Sequence, residues 1–266
     1  MLFNVLLILL GFLFLVWGAD RFVVGASATA NNLGVSPLLI GLTIVGFGTS
    51  APEILVSANA SFNGHPTLAV GNAIGSNIAN IGLILGITAV IMPLTVRSRT
   101  LRRELPVLLA VTLLTLLPFL NHQLDRLDGV LLLAGLGLMM YWLIKVEVRT
   151  RGTDPMYLEY EAEIPRNMSM RVAIAWLFIG LIVLLIASRV LVINAVEIAR
   201  TLGVSDLVIG LTIVAIGTSL PELAASLTAA VKKEYDLVLG NIIGSNMYNL
   251  LAVIGVAAVI QPTEIE

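Results

Sequence analysis

The sequence contains no cysteine, so the chain can form neither a disulfide framework nor a metal site built from thiolates. Charged residues are also scarce, at 12% of the 266 residues, whereas a typical soluble domain has about a quarter. The formal net charge of −2 leaves no basic stripe to neutralise phosphates, which excludes a nucleic-acid partner. The two histidines, His65 and His122, both fall in short polar connections.

Apolar residues fill most of the remaining sequence. They make up 58% of the chain, and the mean hydropathy is +0.99, so lipid must supply part of the solvent. Eight apolar segments come close to the roughly 17–25 residues that a helix needs to cross a bilayer, and barrel strands would be shorter and alternating. The segments are 2–18 (with an apolar continuation to 30), 36–61, 68–91, 105–120, 130–144, 172–187 and beyond, 206–231 and 237–260. The sequence predicts an all-α, polytopic integral membrane protein.

The distribution of Lys and Arg predicts the orientation. The N-terminus has neither a basic start nor a small-residue cleavage site, so the first segment is predicted to be an uncleaved span. If this end lies outside, eleven of the fifteen Lys and Arg residues fall in cytoplasmic connections and two in outer ones. We therefore expect a plasma membrane protein of the bacterial inner-membrane type, with a cytoplasmic central loop and the lipid bilayer as its partner. The oligomeric state stays open, a homo-oligomer included.

An internal repeat is the strongest pattern in the chain. GLTIVGFGTSAPE, at 41–53, matches GLTIVAIGTSLPE, at 210–222, in ten of thirteen positions. The same offset of 169 aligns GNAIGSNIAN at 71–80 with GNIIGSNMYN at 240–249. One ungapped offset over this length indicates a duplication.

The two copies are predicted to have opposite orientations in the membrane. The second and seventh segments carry the matching motifs, and because the seventh comes five crossings after the second, an odd number, one runs outward and the other inward. We divide the chain into a first inverted repeat of five helices (1–145), a cytoplasmic linker (146–171) and a second inverted repeat (172–266). Inverted repeats are typical of alternating-access transporters, whose binding site lies at the midplane between the repeats.

The repeated motif combines a proline with a carboxylate inside an apolar segment. Pro52 and Pro221 lack an N–H, so they free backbone carbonyls four residues back, at Gly48 and Gly217 and nearby. The adjacent Glu53 and Glu222 would be costly at mid-membrane, and such residues mark ion paths by default. A kink with a satisfied carboxylic acid would explain one such motif, but two copies with the same hydroxyl spacing favour an ion site.

Helical spacing adds further oxygens to the same faces. Residues three or four apart are neighbours on a helix surface. Hydroxyls at this spacing surround each glutamate: Thr49, Ser50 and Ser57 around Glu53, and Thr218, Ser219 and Ser226 around Glu222. The next segment of each copy has a polar stripe with a spacing of four, formed by Asn72, Ser76 and Asn80 and by Asn241, Ser245 and Asn249. The small residues Gly71, Gly75, Gly240 and Gly244 allow close helix packing. Carboxylate, hydroxyl, amide and carbonyl oxygens suit Ca²⁺ and Na⁺, and they do not suit zinc or copper. Asn72, Asn77, Asn241 and Asn246 fit structural hydrogen bonding between helices equally well.

The two motifs and their second copies resemble the alpha-repeats of the calcium/cation antiporter superfamily, in particular prokaryotic sodium/calcium exchangers with a short central loop. The resemblance covers nearly the whole chain. It implies secondary active exchange of Na⁺ for Ca²⁺ by alternating access, with no cofactor beyond the transported ions. It also implies the ligand set Glu53, Glu222, Thr49, Ser50, Thr218, Ser219, Ser76, Ser245, Asn80, Asn249 and the backbone at Gly46 and Ala215.

Two departures from the family pattern bear on function. Many calcium-transporting members have an Asp at one middle position, whereas this chain has Asn80 and Asn249, so the site offers two acidic charges instead of three. The family usually has ten spans, five in each half, and only eight are expected here, three of them in the second half. An ion-binding fragment without transport is therefore an alternative.

Three other functions remain to be weighed. A cation/proton antiporter of the same superfamily is the main alternative, because glutamates can carry protons. A cation channel would use the same oxygens but would not need inverted halves. An intramembrane protease is disfavoured, because the sequence has no HExxH motif, no intramembrane histidine and no pair of intramembrane aspartates. We therefore expect a transporter that is not an enzyme.

Overall fold

The computed structural model describes residues 1–94, 98–150, 168–205, 213 and 215–264, and it confirms the predicted all-α class. A 3₁₀ turn lies at Leu117–Asn121, and strands β1 (Gln123–Leu124) and β2 (Thr263–Glu264) form one short antiparallel pair. The helices are α1 Leu2–Leu33, α2 Pro37–Thr49, α3 Ala51–Phe62, α4 Pro66–Ile91, α5 Ser98–Leu116, α6 Arg126–Thr150, α7 Met170–Thr201, α8 Ala215–Thr218, α9 Leu220–Val231 and α10 Tyr235–Ile260.

Within the described ranges, six helices are long and apolar enough to cross a membrane. They lie at Leu2–Leu33, Pro66–Ile91, Arg103–Leu120, Arg126–Val146, Met170–Thr201 and Tyr235–Ile260. Helices α2 and α3 together make a seventh span with a bend of 43°. The predicted segment 206–231 lies partly outside the described residues, and α8 and α9 occupy its second part. Seven of the eight predicted spans therefore have a counterpart in the structure, and the span at 206–231 remains a prediction.

The structure adds detail to two of the predicted segments. The segment 36–61 is two helices and not one, because the backbone leaves helical geometry at Ser50. The predicted linker 146–171 is helical at both ends, since α6 continues to Thr150 and α7 begins at Met170. Polar residues can extend a helix past the membrane surface, and the Lys145 ammonium lies 5.2 Å from the ring centre of Tyr141 one turn earlier. The rest of the linker lies outside the described residues.

Helices α1 and α7 form the most extensive helix pair in the described chain. Glycines allow this contact: a Cβ at Gly18 would lie 2.8 Å from the backbone nitrogen of Leu184, and one at Gly25 or Gly180 would meet the opposite backbone. Trp17 and Trp176 pack edge to face across the pair at 6.1 Å. Close approach through small residues is the usual way in which membrane helices associate.

Helix α10 lies at the centre of the molecule. It packs against α2, α5, α6 and α9, and 89% of its most apolar 18-residue stretch is buried. The contact with α2 is close, because a Cβ at Gly41 would lie 2.8 Å from the Cα of Gly240. Side chains on the outer surfaces of α1, α5 and α7, such as Leu13, Leu113 and Ile186, are exposed and apolar, as a lipid-facing surface requires.

Candidate cation site

The two copies of the repeated motif break their helices in the same way. Ser50 separates α2 from α3 with φ −83° and ψ 0°, and Ser219 separates α8 from α9 with φ −90° and ψ 3°. In both cases the proline, Pro52 or Pro221, lies in the first turn of the second helix, where its missing N–H costs no hydrogen bond. The motif therefore encodes a helix end at the serine and a new helix start beside the glutamate.

A backbone carbonyl near each break has a hydrogen-bond partner. The Gly46 oxygen accepts the backbone amide of Ser50 at 3.1 Å, and the Thr49 hydroxyl lies 3.4 Å from it. The Gly217 oxygen, which Pro221 frees, accepts the Ser188 hydroxyl of α7 at 3.0 Å. Sequence reasoning missed Ser188. Its equivalent in the first copy is Ala19, so the repeat carried no signal for it.

Glu53 and Glu222 are both buried, with 1% and 2% of their surface exposed. The Ser50 hydroxyl donates a hydrogen bond of 3.3 Å to Oε1 of Glu222, which joins the first helix break to the second glutamate. The Oε2 atoms of both glutamates are buried and have no hydrogen-bond partner among the described residues. A dehydrated carboxylate oxygen without a partner is costly, so each can gain from a cation.

Thr49 and Asn241 connect α2, α9 and α10. The Thr49 hydroxyl lies 3.0 Å from Oδ1 of Asn241 and 3.3 Å from Oγ of Ser245. Asn241 donates through Nδ2 to Oγ of Ser226 at 2.8 Å and to the main-chain oxygen of Glu222 at 3.3 Å. In the other copy, Asn72 donates to Oγ of Ser57 at 3.1 Å. The amides of Asn72 and Asn241 thus make the interhelical bonds that the sequence left as one of two interpretations.

The middle asparagines lie at matching irregularities. Asn80 begins a π-helical turn at Asn80–Leu85, and Asn249 begins another at Asn249–Val253. The first turn packs against α9, which carries Glu222, and the second packs against α3, which carries Glu53. Such turns are frequent at functional sites. The hydrophobic pattern does not predict these turns, because a π-helical turn has one residue more than an α-helical turn but requires no particular residue type.

The structure buries most of the predicted ligand set. Buried residues of that set are Glu53, Glu222, Thr49, Ser50, Ser219, Ser76, Ser245, Asn80 and Asn249. The Oγ of Ser219 and the Oδ1 atoms of Asn80 and Asn249 are further buried oxygens without a partner in the described chain. Thr218 is half-buried, and Ala215 is the first residue of α8.

The donor set determines which ions the cluster suits. It contains two carboxylates with hydroxyl and amide oxygens, and the described residues hold no group of three or more His, Cys, Asp or Glu arranged to bind a metal. Such oxygens suit Ca²⁺ and comparable hard cations, and they exclude a site of the zinc or copper type.

Comparison with known proteins shows to which family the chain belongs. The sequence profile of the family described as "Sodium/calcium exchanger protein" matches residues 3–145 and 172–266. The chain belongs to the sodium/calcium exchanger family. The family resemblance predicted from the sequence motifs is confirmed, and the exchanger is an integral membrane transporter, not an enzyme.

Individual relatives cover the whole exchanger. It is 44% identical over 268 residues to the inner membrane protein YrbG of Escherichia coli (strain K12), covering 100% of this chain and 82% of that protein. It is 32% identical over 295 residues to the sodium/calcium exchanger MaX1 of Methanosarcina acetivorans, with coverages of 98% and 84%. The solved structure of the sodium-calcium exchanger NCX_Mj, soaked with Na⁺ and Ca²⁺, superposes with a TM-score of 0.86 at 37% identity, covering 100% of this chain and 85% of that one.

Proposed function

We propose that this exchanger moves Na⁺ in one direction and Ca²⁺ in the other through the oxygen cluster around Glu53 and Glu222. The observation that carries the proposal is the pair of buried glutamates, one from each copy of the motif, each with a carboxylate oxygen that no described residue bonds. The names of MaX1 and NCX_Mj, both sodium/calcium exchangers, support the choice of ions.

Charge balance explains why the two ions would compete. Two ionised carboxylates carry −2, which one Ca²⁺ or two Na⁺ would neutralise. Because both ions would use the same oxygens, occupancy by one excludes the other. Without a cation, two dehydrated carboxylates face an uncompensated burial cost, so the empty carrier is disfavoured from changing sides. Obligatory exchange follows from that cost.

The ligands proposed to hold the ions are those that the resemblance implied. Glu53 and Glu222 would bind both ions, and Asn80 and Asn249 would contribute amide oxygens. Hydroxyl and backbone oxygens would complete the shell, from Thr49, Ser50, Ser76, Thr218, Ser219, Ser245, Gly46 and Ala215. The Gly46 oxygen already accepts the backbone amide of Ser50, so we expect it to contribute less than the hydroxyls.

Alternating access would use the two repeats as inverted units. We propose the division 1–145, 146–171 and 172–266, with the N-terminus outside and the linker on the cytoplasmic side of a bacterial inner membrane. The family profile leaves the same central segment unmatched, which supports this division. Helices α1 and α7 would slide as one pair past the ion-binding helices, since their mutual contact is the largest helix–helix contact described.

The test is calcium uptake into sodium-loaded proteoliposomes that are diluted into sodium-free or sodium-matched buffer. We expect uptake only under the outward sodium gradient, and none with Glu53→Gln protein reconstituted at the same density. A parallel arm replaces the sodium gradient with a pH gradient. Uptake that follows the pH gradient without sodium would overturn the proposed ion pair in favour of cation/proton exchange. Flux that needs no counter-ion would indicate a channel.

A further inference from the structure

Four asparagine side chains form a reciprocal cluster between α4 and α10, defined here as the asparagine clasp: Asn77, Asn80, Asn246 and Asn249. Nδ2 of Asn80 donates to Oδ1 of Asn246 at 3.0 Å, and Nδ2 of Asn249 donates to Oδ1 of Asn77 at 3.0 Å. The offset that aligns the two motif copies converts each of these bonds into the other. The clasp therefore joins the two repeats through one hydrogen bond and its repeat equivalent.

A main-chain contact fixes the orientation of one half of the clasp. Nδ2 of Asn77 donates to the backbone oxygen of Asn246 at 3.2 Å, and a carbonyl oxygen can only accept. The Asn77 amide must therefore turn its Oδ1 toward Asn249. Asn249 in turn must present its Nδ2 to Asn77, and its own Oδ1 faces away from the clasp.

The consequence is a directed, unsatisfied oxygen on each middle asparagine. The Oδ1 atoms of Asn80 and Asn249 are buried and have no hydrogen-bond partner in the part of the chain that the structure describes, while the clasp holds their amino groups. An asparagine that is free to flip would offer either end of its amide, and an amino group repels a cation. Holding the amino group thus leaves only the oxygen available to an ion.

We propose that Asn77 and Asn246 are positioning residues that set the affinity of the exchanger for its cations by orienting Asn249 and Asn80. This inference rests on the proposed function, because it assumes that those two oxygens meet the transported ions. We also expect the two positioning residues to contribute unequally to cation affinity. Asn77 is anchored to a backbone oxygen, whereas Nδ2 of Asn246 has no partner among the described residues, so Asn77 carries the larger share.

The test measures half-saturation for Ca²⁺ and turnover separately in proteoliposomes with equal amounts of folded protein. For Asn77→Ala we expect half-saturation to rise about five- to tenfold, the size of one lost interaction of hydrogen-bond strength, with a smaller change in turnover. Asn246→Ala should give a smaller rise. The matched control is Asn194→Ala, because Asn194 is a buried asparagine of α7 whose hydrogen bond among the described residues goes to the Val190 oxygen of its own helix. Its half-saturation should equal that of wild type.

A double variant separates positioning from general weakening of the fold. In an Asn249→Ala background, Asn77→Ala should add little to the rise in half-saturation, since the residue through which it acts is gone. Independent, multiplicative effects would overturn the proposal, as would a wild-type half-saturation in Asn77→Ala. If Asn77→Ala does not yield folded protein, Asn246→Ala with Asn80→Ala forms the same cycle. Absence of sodium-driven uptake in wild type would instead reject the proposed function itself.

Discussion

Helices α4 and α10 are repeat equivalents with the same length and the same polar motif, yet among the described residues they are buried to different extents. Their bounds, Pro66–Ile91 and Tyr235–Ile260, are related by the repeat offset. Only 22% of the most apolar 18-residue stretch of α4 is buried, against 89% of the most apolar 18-residue stretch of α10. Helices α5 and α6 cover the outer side of α10, whereas the corresponding side of α4 exposes residues such as Ile81 and Val90. The shared motif therefore determines the polar face, and neighbouring helices determine the rest.

The glutamates are where the two repeats should behave alike despite this difference. Glu53→Gln and Glu222→Gln each remove one of two charges from the same buried cluster, so we expect either change to abolish sodium-driven calcium uptake. Proteoliposome flux, normalised to reconstituted protein, measures this. Substantial residual exchange in one variant only would mean that the repeats contribute unequally to the ion site.

The next largest effect should separate the equivalent glycines of α4 and α10. A Cβ at Gly255 would lie 3.0 Å from the Leu133 side chain and 3.2 Å from the Gly129 oxygen, whereas the described chain places nothing within 4 Å of one at Gly86. We expect Gly255→Leu to destabilise by about 1–3 kcal/mol through overpacking, and Gly86→Leu to be tolerated.

Thermal unfolding in detergent, followed by size-exclusion chromatography, compares these two variants directly. Gly86→Leu is the matched control, since it adds the same side chain at the equivalent position. Equal losses in melting temperature would contradict the difference that the described residues show, with neighbours around Gly255 and open space around Gly86.

Ser188 tests a contact that only one repeat has. Ser188→Ala leaves the Gly217 oxygen without its hydroxyl donor, so a cost of about 1 kcal/mol is expected, more if water cannot reach the carbonyl. Thr112→Ala is a suitable control, because the Thr112 hydroxyl bonds a carbonyl of its own helix. The melting temperature should fall in the first variant and stay near wild type in the second, and the reverse order would argue against the contact.

The smallest effect concerns an ion pair near a helix connection. Lys232 lies 2.7 Å from Asp20, and the repeat equivalents of these residues, Asn63 and Arg189, cannot form the same pair. Both side chains are about one-third exposed, so the pair should contribute no more than about 1 kcal/mol. Lys232→Ala should lower the melting temperature slightly at low salt and not at high salt. A large, salt-independent loss would show that Lys232 packs in a way its exposure does not suggest.

Much of the site could be predicted from the sequence because duplication repeats a chemical pattern. Glu53 and Glu222, the helix-breaking prolines and the hydroxyls at spacings of three and four were all evident before the fold was known. Ser188 was not, because it acts from a helix outside the motif and its equivalent is Ala19. The π-helical turns at Asn80 and Asn249 and the unequal burial of α4 and α10 depend on packing between distant segments, which periodicity along one helix does not encode.

The central claim is that Glu53 and Glu222, from two unequally packed repeats, form one shared cation site. Titration calorimetry of Ca²⁺ binding to the purified protein in detergent tests it most directly. We predict one Ca²⁺ per chain, displaced by Na⁺, with binding lost in both Glu53→Gln and Glu222→Gln. Two Ca²⁺ per chain, with one retained in each single variant, would show two separate sites and contradict the account.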